Sequence, residues 1–183
     1  VLPDRTLKVG RELAGRDHAE LTAEVLWFLS SQEASGDISE LLLELLRNAP
    51  NSELRTKALD AIGRFGHPPT LDAVAAWGES NGRSLVPAEA DALGHAMARI
   101  NGRLARRSFE HWIRPPGLLS RFIAPKGVKM LQWAGVAGLE LVDGEADDEL
   151  LEWLGKRAAS DLGHRCKASL VRRRVRRRGD DHG

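Results

Sequence analysis

Six arginines fall within seven residues near the end of the chain, and they form its densest cluster of charge. The run is Arg172-Arg173-Arg174-Val175-Arg176-Arg177-Arg178. Like charges this close repel one another unless a counter-charge is present. A nucleic-acid backbone would supply one, because neutralising its phosphates releases condensed counterions. An anionic membrane surface or an acidic protein would also supply one. The alternative is a solvated, disordered chain end.

The remainder of the chain carries the opposite excess of charge. Residues 156–178 hold ten basic side chains and one acidic one, whereas the first 155 residues hold 17 basic and 23 acidic ones. The formal net charge of the whole chain is only +1. This asymmetry indicates either a polyanionic partner for the basic end or docking of that end on its own acidic body.

A second basic group lies upstream, interleaved with aromatic residues. Its arginines are Arg99, Arg103, Arg106, Arg107, Arg114 and Arg121, and Phe109, His111 and Trp112 lie among them. Arg103 and Arg107 are four residues apart and therefore share one helical face. Arginine beside aromatic rings could bind phosphates and stack on bases. The competing interpretation, which we favour, is an amphipathic helix with Phe109 and Trp112 in the core and its arginines in water.

The acidic stretch 143–152 does not match a calcium-binding loop. With Asp143 as the first ligand, Asp148 takes the place of the required glycine and Leu154 that of the bidentate glutamate. Acidic residues also favour the first turn of a helix, where they complement the helix dipole. We therefore predict that Asp147 or Asp148 caps a helix.

Other patterns of catalytic or cofactor-binding residues are missing from the sequence. The six histidines do not show the spacing that places two metal ligands on one helical turn. Glycine-rich phosphate loops and the Gly-x-Ser-x-Gly motif are also absent. We predict no catalytic residue, metal ion or cofactor, and we interpret the single cysteine, Cys166, as a partly buried thiol. One cysteine favours a reducing, cytoplasmic setting, and no apolar run approaches the roughly 18 residues of a membrane helix.

Apolar residues recur at spacings of three and four along most of the chain, which predicts α-helices. Eight helices are indicated, within 21–29, 38–46, 54–65, 70–77, 87–100, 103–113, 128–142 and 148–159. Asn101-Gly102 is expected to separate the fifth helix from the sixth. Tyr is absent and no segment alternates as a half-buried strand does, so the predicted fold class is all-α.

Glycine and tryptophan give further expectations for packing. Gly135 and Gly138 lie inside a predicted helix, where each costs up to about 1 kcal/mol relative to alanine. Close approach of a neighbouring helix would compensate for this cost. The tryptophans occupy apolar-face positions and are predicted to lie in the core, at Trp27, Trp77, Trp112, Trp133 and Trp153.

A weak internal repeat runs through the helical pattern. The apolar set that begins at Leu54 recurs 33 residues earlier, at Leu21, and 74 residues later, at Val128. The stretch 51–77 resembles a HEAT repeat, with matching residues at Leu54, Arg55, Ala58, Leu59, Ile62 and Gly63. The resemblance covers about half the chain, including a fair match at 128–154. It implies a short right-handed α-solenoid of about four antiparallel helix pairs, with an irregular helical bundle as the alternative.

Two functions follow from these patterns as hypotheses. HEAT-like proteins are usually scaffolds, so the resemblance implies a non-catalytic module whose concave face, built from 54–64 and 128–139, binds a protein partner. The alternative is nucleic-acid binding through Arg103, Arg107 and Arg114 together with Arg172, Arg173, Arg174, Arg176, Arg177 and Arg178. We expect a helical-repeat domain over 1–168 and a basic, disordered tail over 169–183.

Overall fold

The computed structural model describes residues 36–114, 126–142, 144–158 and 160–180, without the side chains of 36, 37, 145, 160 and 178–180. The described residues contain helices and no strands, which confirms the predicted all-α class. The helices are α1 (Gly36–Asn48), α2 (Ser52–Phe65), α3 (Thr70–Asn81), α4 (Pro87–Ile113), α5 (Lys126–Leu141), α6 (Glu145–Gly155) and α7 (Ser160–Asp180). None of the described helices is both long and apolar enough to cross a membrane. The helix predicted within 21–29 lies outside the described residues.

Side chains at the helix ends explain where α2 and α4 begin. Asn51 precedes α2, and its Oδ1 accepts a hydrogen bond from the Leu54 backbone N–H at 2.9 Å. Pro87 opens α4, where its fixed φ suits the first turn. The Glu89 carboxylate accepts the Val86 backbone N–H at 2.9 Å and the Arg55 Nε at 2.6 Å. This buried carboxylate therefore caps α4 and ties it to α2.

The interruption predicted at Asn101 is confirmed. Asn101 has φ −166° and ψ 94°, an extended conformation between two helical halves of α4. Its side-chain Oδ1 accepts the Leu104 backbone N–H at 3.1 Å, so it caps the second half. Arg103 and Arg107 both follow this cap and lie four residues apart on the same half-helix.

The core is built around α4, which packs against α2, α3, α5 and α6. Its most extensive contact is with α5, and small residues make that contact possible. A methyl group added at Gly94 of α4 would overlap the backbone of Ala134 and would lie 2.7 Å from the Gly138 nitrogen. A methyl group at Gly138 of α5 would overlap the Phe109 ring. The close packing expected at Gly135 and Gly138 is confirmed.

The stretch 169–183, expected to be a basic, disordered tail, overlaps a helix of the structure. Residues 160–180 form the single helix α7, which packs against α5 and α6. One face of α7 is buried, at Leu162, Cys166, Ser169, Leu170 and Arg173. This stripe has helical spacing, so the amphipathic pattern continues into the arginine run. Residues 181–183 lie outside the described part.

Candidate functional site

Within the arginine run, Arg172 is held by the body of the protein. Its Nε donates to Oε1 of Glu140 on α5, and its Nη2 donates to Oε2 at 2.8 Å. The Ser169 hydroxyl also donates to Oε2 of Glu140, at 2.9 Å. Burial alone would raise the pKa of Glu140, but the hydrogen bonds from Arg172 and Ser169 and the nearby positive charges outweigh it. The pKa of Glu140 therefore lies below its ordinary value, and the ion pair is complete at neutral pH.

Arg173 is fully buried, with a side-chain exposure of 0%. Its guanidinium donates to the carbonyl oxygens of Leu139 and Val142 at the end of α5. It also donates to the carbonyl of Gly144 at 2.8 Å and to the Asp148 carboxylate at 2.7 Å. One side chain thus caps the end of α5 and binds the start of α6, which a planar guanidinium with five donors can do.

The other described arginines of the run contact the body of the protein to different degrees. Arg177 forms a bidentate pair with Asp148, at 2.9 and 3.0 Å. Arg174 is 60% exposed and lies 3.4 Å from Glu152. Arg176 is partly exposed, and the side chain of Arg178 lies outside the description. The alternative of docking on the acidic body is therefore confirmed for Arg172, Arg173 and Arg177.

The acidic stretch supplies the counter-charge for these arginines. Burial raises the pKa of Asp148, but the hydrogen bonds from Arg173 and Arg177 outweigh it and leave that pKa below its ordinary value. Asp147 lies between Arg106 of α4, at 2.8 Å, and Arg173, at 3.8 Å. Burial raises the pKa of Asp147 despite these two positive charges. Both aspartates lie near the start of α6, but the prediction that one of them caps the helix is wrong, because the N-cap is Gly144 and no side chain forms a capping hydrogen bond.

The arginines of α4 are not neutralised to the same degree. Arg106 pairs with Asp147 and Glu110, and Arg99 lies 3.6 Å from Asp60. By contrast, Arg103 and Arg107 are exposed and form no ion pair with any described residue. Phe109 and Trp112 are buried, which confirms the favoured interpretation of an amphipathic helix. Arg121 lies outside the described residues.

A cleft of about 420 Å³ lies between the second half of α4 and α6. Its lining combines basic, acidic and apolar groups: Arg106, Arg107, Glu110, His111 and Arg114 from α4 or its end, and Ala146, Glu149 and Leu150 from α6. The residues of the predicted site thus separate into two groups. Arg107 and Arg114 line the cleft with Arg103 one turn before Arg107, while the described side chains of the 172–178 run belong to α7.

Two guanidinium groups stack on the Trp153 ring of α6. The Cζ atom of Arg114 lies 5.0 Å from the ring centroid, and that of Arg157 lies 4.8 Å from it. These distances fall within the range of cation–π contacts. Sequence reasoning missed Arg157 and assigned Trp153 to the core, although it is only partly buried. The four-residue spacing of Trp153 and Arg157 was the one available signal.

The two stretches expected to form a concave partner-binding face are largely internal. Leu54, Ala58, Leu59 and Ile62 of α2 are buried, and α2 packs on α4. Residues 134–139 of α5 are buried as well, and α5 packs on α4 and α7. These stretches hold the helices together, so the accessible charged groups of the cleft are the better candidate for contact with a partner.

The chemistry available at these sites is anion binding. Guanidinium groups with unpaired N–H donors bind carboxylates and phosphates in a bidentate manner.

Cys166 is completely buried, and burial raises the pKa of its thiol to about 11, so it is no nucleophile at neutral pH. Comparison with known proteins found no match to a family model, a curated protein or a solved structure.

Proposed function

We propose that the chain is a non-catalytic protein-interaction module, a short HEAT-like solenoid that binds an acidic segment of a protein partner at the cleft between α4 and α6. One observation carries this proposal. The arginine run of α7 is largely neutralised by the body, whereas Arg107 and Arg114 line an open cleft without an ion pair among the described residues. Unpaired guanidinium groups favour a partner that brings carboxylates or phosphates to them.

The pattern of helix contacts supports the solenoid part of the proposal. Every substantial contact between the described helices joins elements that are first or second neighbours along the chain, such as α2 with α4 and α3 with α5. Solenoids have this arrangement because each repeat packs only against the adjacent ones. The positions of α2 that resemble the HEAT motif support it too, since Leu54, Ala58 and Leu59 all face the core.

The lining of the cleft favours a protein over a nucleic acid. Glu110 and Glu149 lie on its walls, where they would repel a continuous phosphate backbone. Ala146 and Leu150 offer apolar surface that a peptide side chain can cover. Nucleic-acid binding is the second candidate, because Arg103 and Arg107 form an exposed basic pair on α4.

The lone cysteine supports a reducing, cytoplasmic setting for either role.

Fluorescence anisotropy tests the proposal directly. A labelled acidic peptide of alternating Glu and Leu and a labelled single-stranded oligonucleotide are titrated at about 50 and about 200 mM salt. The double variant R107A/R114A should lose about ten-fold or more in peptide affinity, because hydrogen bonds to charged groups contribute about 1.5–3 kcal/mol each. The matched control R47A/K167A removes the same charge from exposed positions on α1 and α7 and should bind as the unmodified chain does.

Two results would contradict the proposal. Equal losses in R107A/R114A and in the control would show that only net charge matters and that the cleft is not the site. Tighter binding of the oligonucleotide, with a steep loss of affinity between the two salt concentrations, would replace the protein partner with a nucleic acid.

A further inference from the structure

We infer that the Arg114–Trp153–Arg157 group, which shares Arg114 with the cleft, binds a doubly charged phosphomonoester, the phosphorylated side chain of a protein partner. This inference rests on the proposed function, because it names the chemical group that the partner presents. Three observations support this inference: two arginines lie on one ring, positive charge is in excess around them, and two glutamates also line the cleft.

The Trp153 ring holds two guanidinium groups close to it. Arg114 and Arg157 both lie within about 5 Å of the centroid of the Trp153 ring. Arg157 is further fixed by a hydrogen bond from its Nη1 to the Trp153 carbonyl at 3.4 Å. An arginine that stacks through its face leaves its edge of N–H donors available for a planar or tetrahedral oxyanion. Less side-chain entropy is then lost when an anion binds.

The charge around the cleft matches a dianion better than a carboxylate. Arg107, Arg114 and Arg157 form no ion pair with described residues, and Glu149 is the one cleft carboxylate among those residues without such a pair. Of the other charged groups, Arg106 already pairs with Glu110 and with Asp147. Among the described residues, two positive charges are therefore in excess, and a phosphorylated side chain carries about −1.5 to −2 at neutral pH. A single carboxylate would leave part of this excess unbalanced.

The placement of the glutamates favours one isolated phosphate. Arg114 belongs both to the stack and to the cleft, while Glu110 and Glu149 also line the cleft, four residues before Arg114 and Trp153 respectively. A polynucleotide that puts one phosphate at Arg114 would bring its next phosphates towards these carboxylates. A phosphorylated peptide carries a single phosphate and brings no further phosphates near these carboxylates. Its neighbouring apolar side chains can contact Leu150. The class of ligand is therefore a phosphopeptide.

The test follows the Trp153 indole N–H by NMR, with its resonance assigned through Trp153→Phe. The probes are N-acetyl-phosphoserine amide, N-acetyl-glutamate amide and a single-stranded oligonucleotide that lacks terminal phosphates. Phosphoserine should bind about ten-fold more tightly than glutamate, since both form charge-assisted bonds with arginine but the phosphate carries a second negative charge. Arg114→Ala and Arg157→Ala should each weaken phosphoserine binding about five-fold or more.

Two variants separate stacking from net charge. Arg114→Lys keeps the positive charge but loses the planar, stacked fork, so it should bind phosphoserine nearly as weakly as Arg114→Ala. Arg47→Ala removes a distant exposed charge and should leave the affinity unchanged. Circular dichroism of each variant excludes loss of fold as the cause of weaker binding.

Each remaining outcome is decisive. Equal affinity for phosphoserine and glutamate, both lost in Arg114→Ala, would overturn this inference and leave the proposed acidic-peptide cleft intact. Tighter binding of the oligonucleotide than of phosphoserine would overturn it in favour of a phosphate backbone. No shift of the Trp153 resonance with any probe would overturn the inference, and the proposed function would fall with it only if the acidic peptide also failed to bind.

Discussion

A single buried arginine joins three helices of this protein. Arg173 binds two carbonyl oxygens at the end of α5, the carbonyl of Gly144 and the carboxylate of Asp148 at the start of α6, while its own backbone belongs to α7. The carbonyls that end a helix lack partners within that helix. A buried charge is tolerated only where such groups surround it. Arg173 and the α5–α6 corner therefore satisfy each other's polar groups.

Replacement of Arg173 should strongly destabilise the protein. Arg173→Met leaves three carbonyl oxygens and two carboxylates without this partner, and breaking a buried pair in this way costs about 3–5 kcal/mol. The matched variant Arg174→Met removes an exposed partner of Glu152 and should cost at most about 1 kcal/mol. Urea unfolding followed by circular dichroism measures both values. Equal and small changes in the free energy of unfolding would show that Arg173 does not hold this corner together.

At the scale of the elements, glycine determines how closely α4 and α5 approach. Gly94 and Gly138 lie at their contact, where a Cβ atom at either position would overlap the opposite helix. The two overlaps differ in kind. At Gly138 the obstacle is the ring of Phe109, which a smaller side chain can relieve, whereas at Gly94 it is the backbone of Ala134. Helix propensity disfavours both glycines, so the packing they permit has to outweigh that cost.

Gly138→Ala and Gly94→Ala should both lower the free energy of unfolding, by about 1–3 kcal/mol for overpacking less a gain of up to ~1 kcal/mol in helix propensity. Adding Phe109→Leu should partly rescue Gly138→Ala, because it removes the ring that the new methyl group meets. It should not rescue Gly94→Ala. A double-mutant cycle from urea unfolding separates the two cases. Simple additivity for Gly138→Ala with Phe109→Leu would mean that the ring is not the obstacle.

How far the sequence predicts this structure depends on whether a feature is local. The helical spacing, the cap at Asn101 and the unusual glycines of α5 are all local, and each was predictable. The pairing of Arg114 with Trp153 joins residues 39 positions apart, and the pair of Arg106 with Asp147 joins residues 41 apart. Such contacts depend on how α4 and α6 pack. The burial of Arg173 could have been predicted, because Arg173 continues the helical spacing of the buried residues Leu162, Cys166 and Leu170.

For the whole molecule, charge is segregated along the chain and recombined in the fold. The basic helix α7 lies on α5 and α6, which carry the carboxylates of Glu140, Asp147 and Asp148. The exposed pairs are screened by salt, whereas the buried contacts of Arg173 are screened much less. Moderate salt should therefore weaken binding at the cleft long before it releases α7. The net charge of +1 hides this organisation.

Truncation after residue 168 tests whether α7 is part of the domain. It removes the buried Ser169, Leu170 and Arg173, takes Arg172 away from Glu140, and leaves Asp148 without both of its arginines. A loss of about 3–5 kcal/mol corresponds to a fall in Tm of about 6–20 °C for a chain of this size. The control ends after residue 178, keeps every ion pair described above and should melt as the full chain does. An unchanged Tm in the shorter protein would favour the expected division into a domain over 1–168 and a tail over 169–183. If the Tm falls, weaker ligand binding after truncation is explained by the damaged fold. The contribution of α7 to binding is then measured with substitutions of exposed residues such as Arg174.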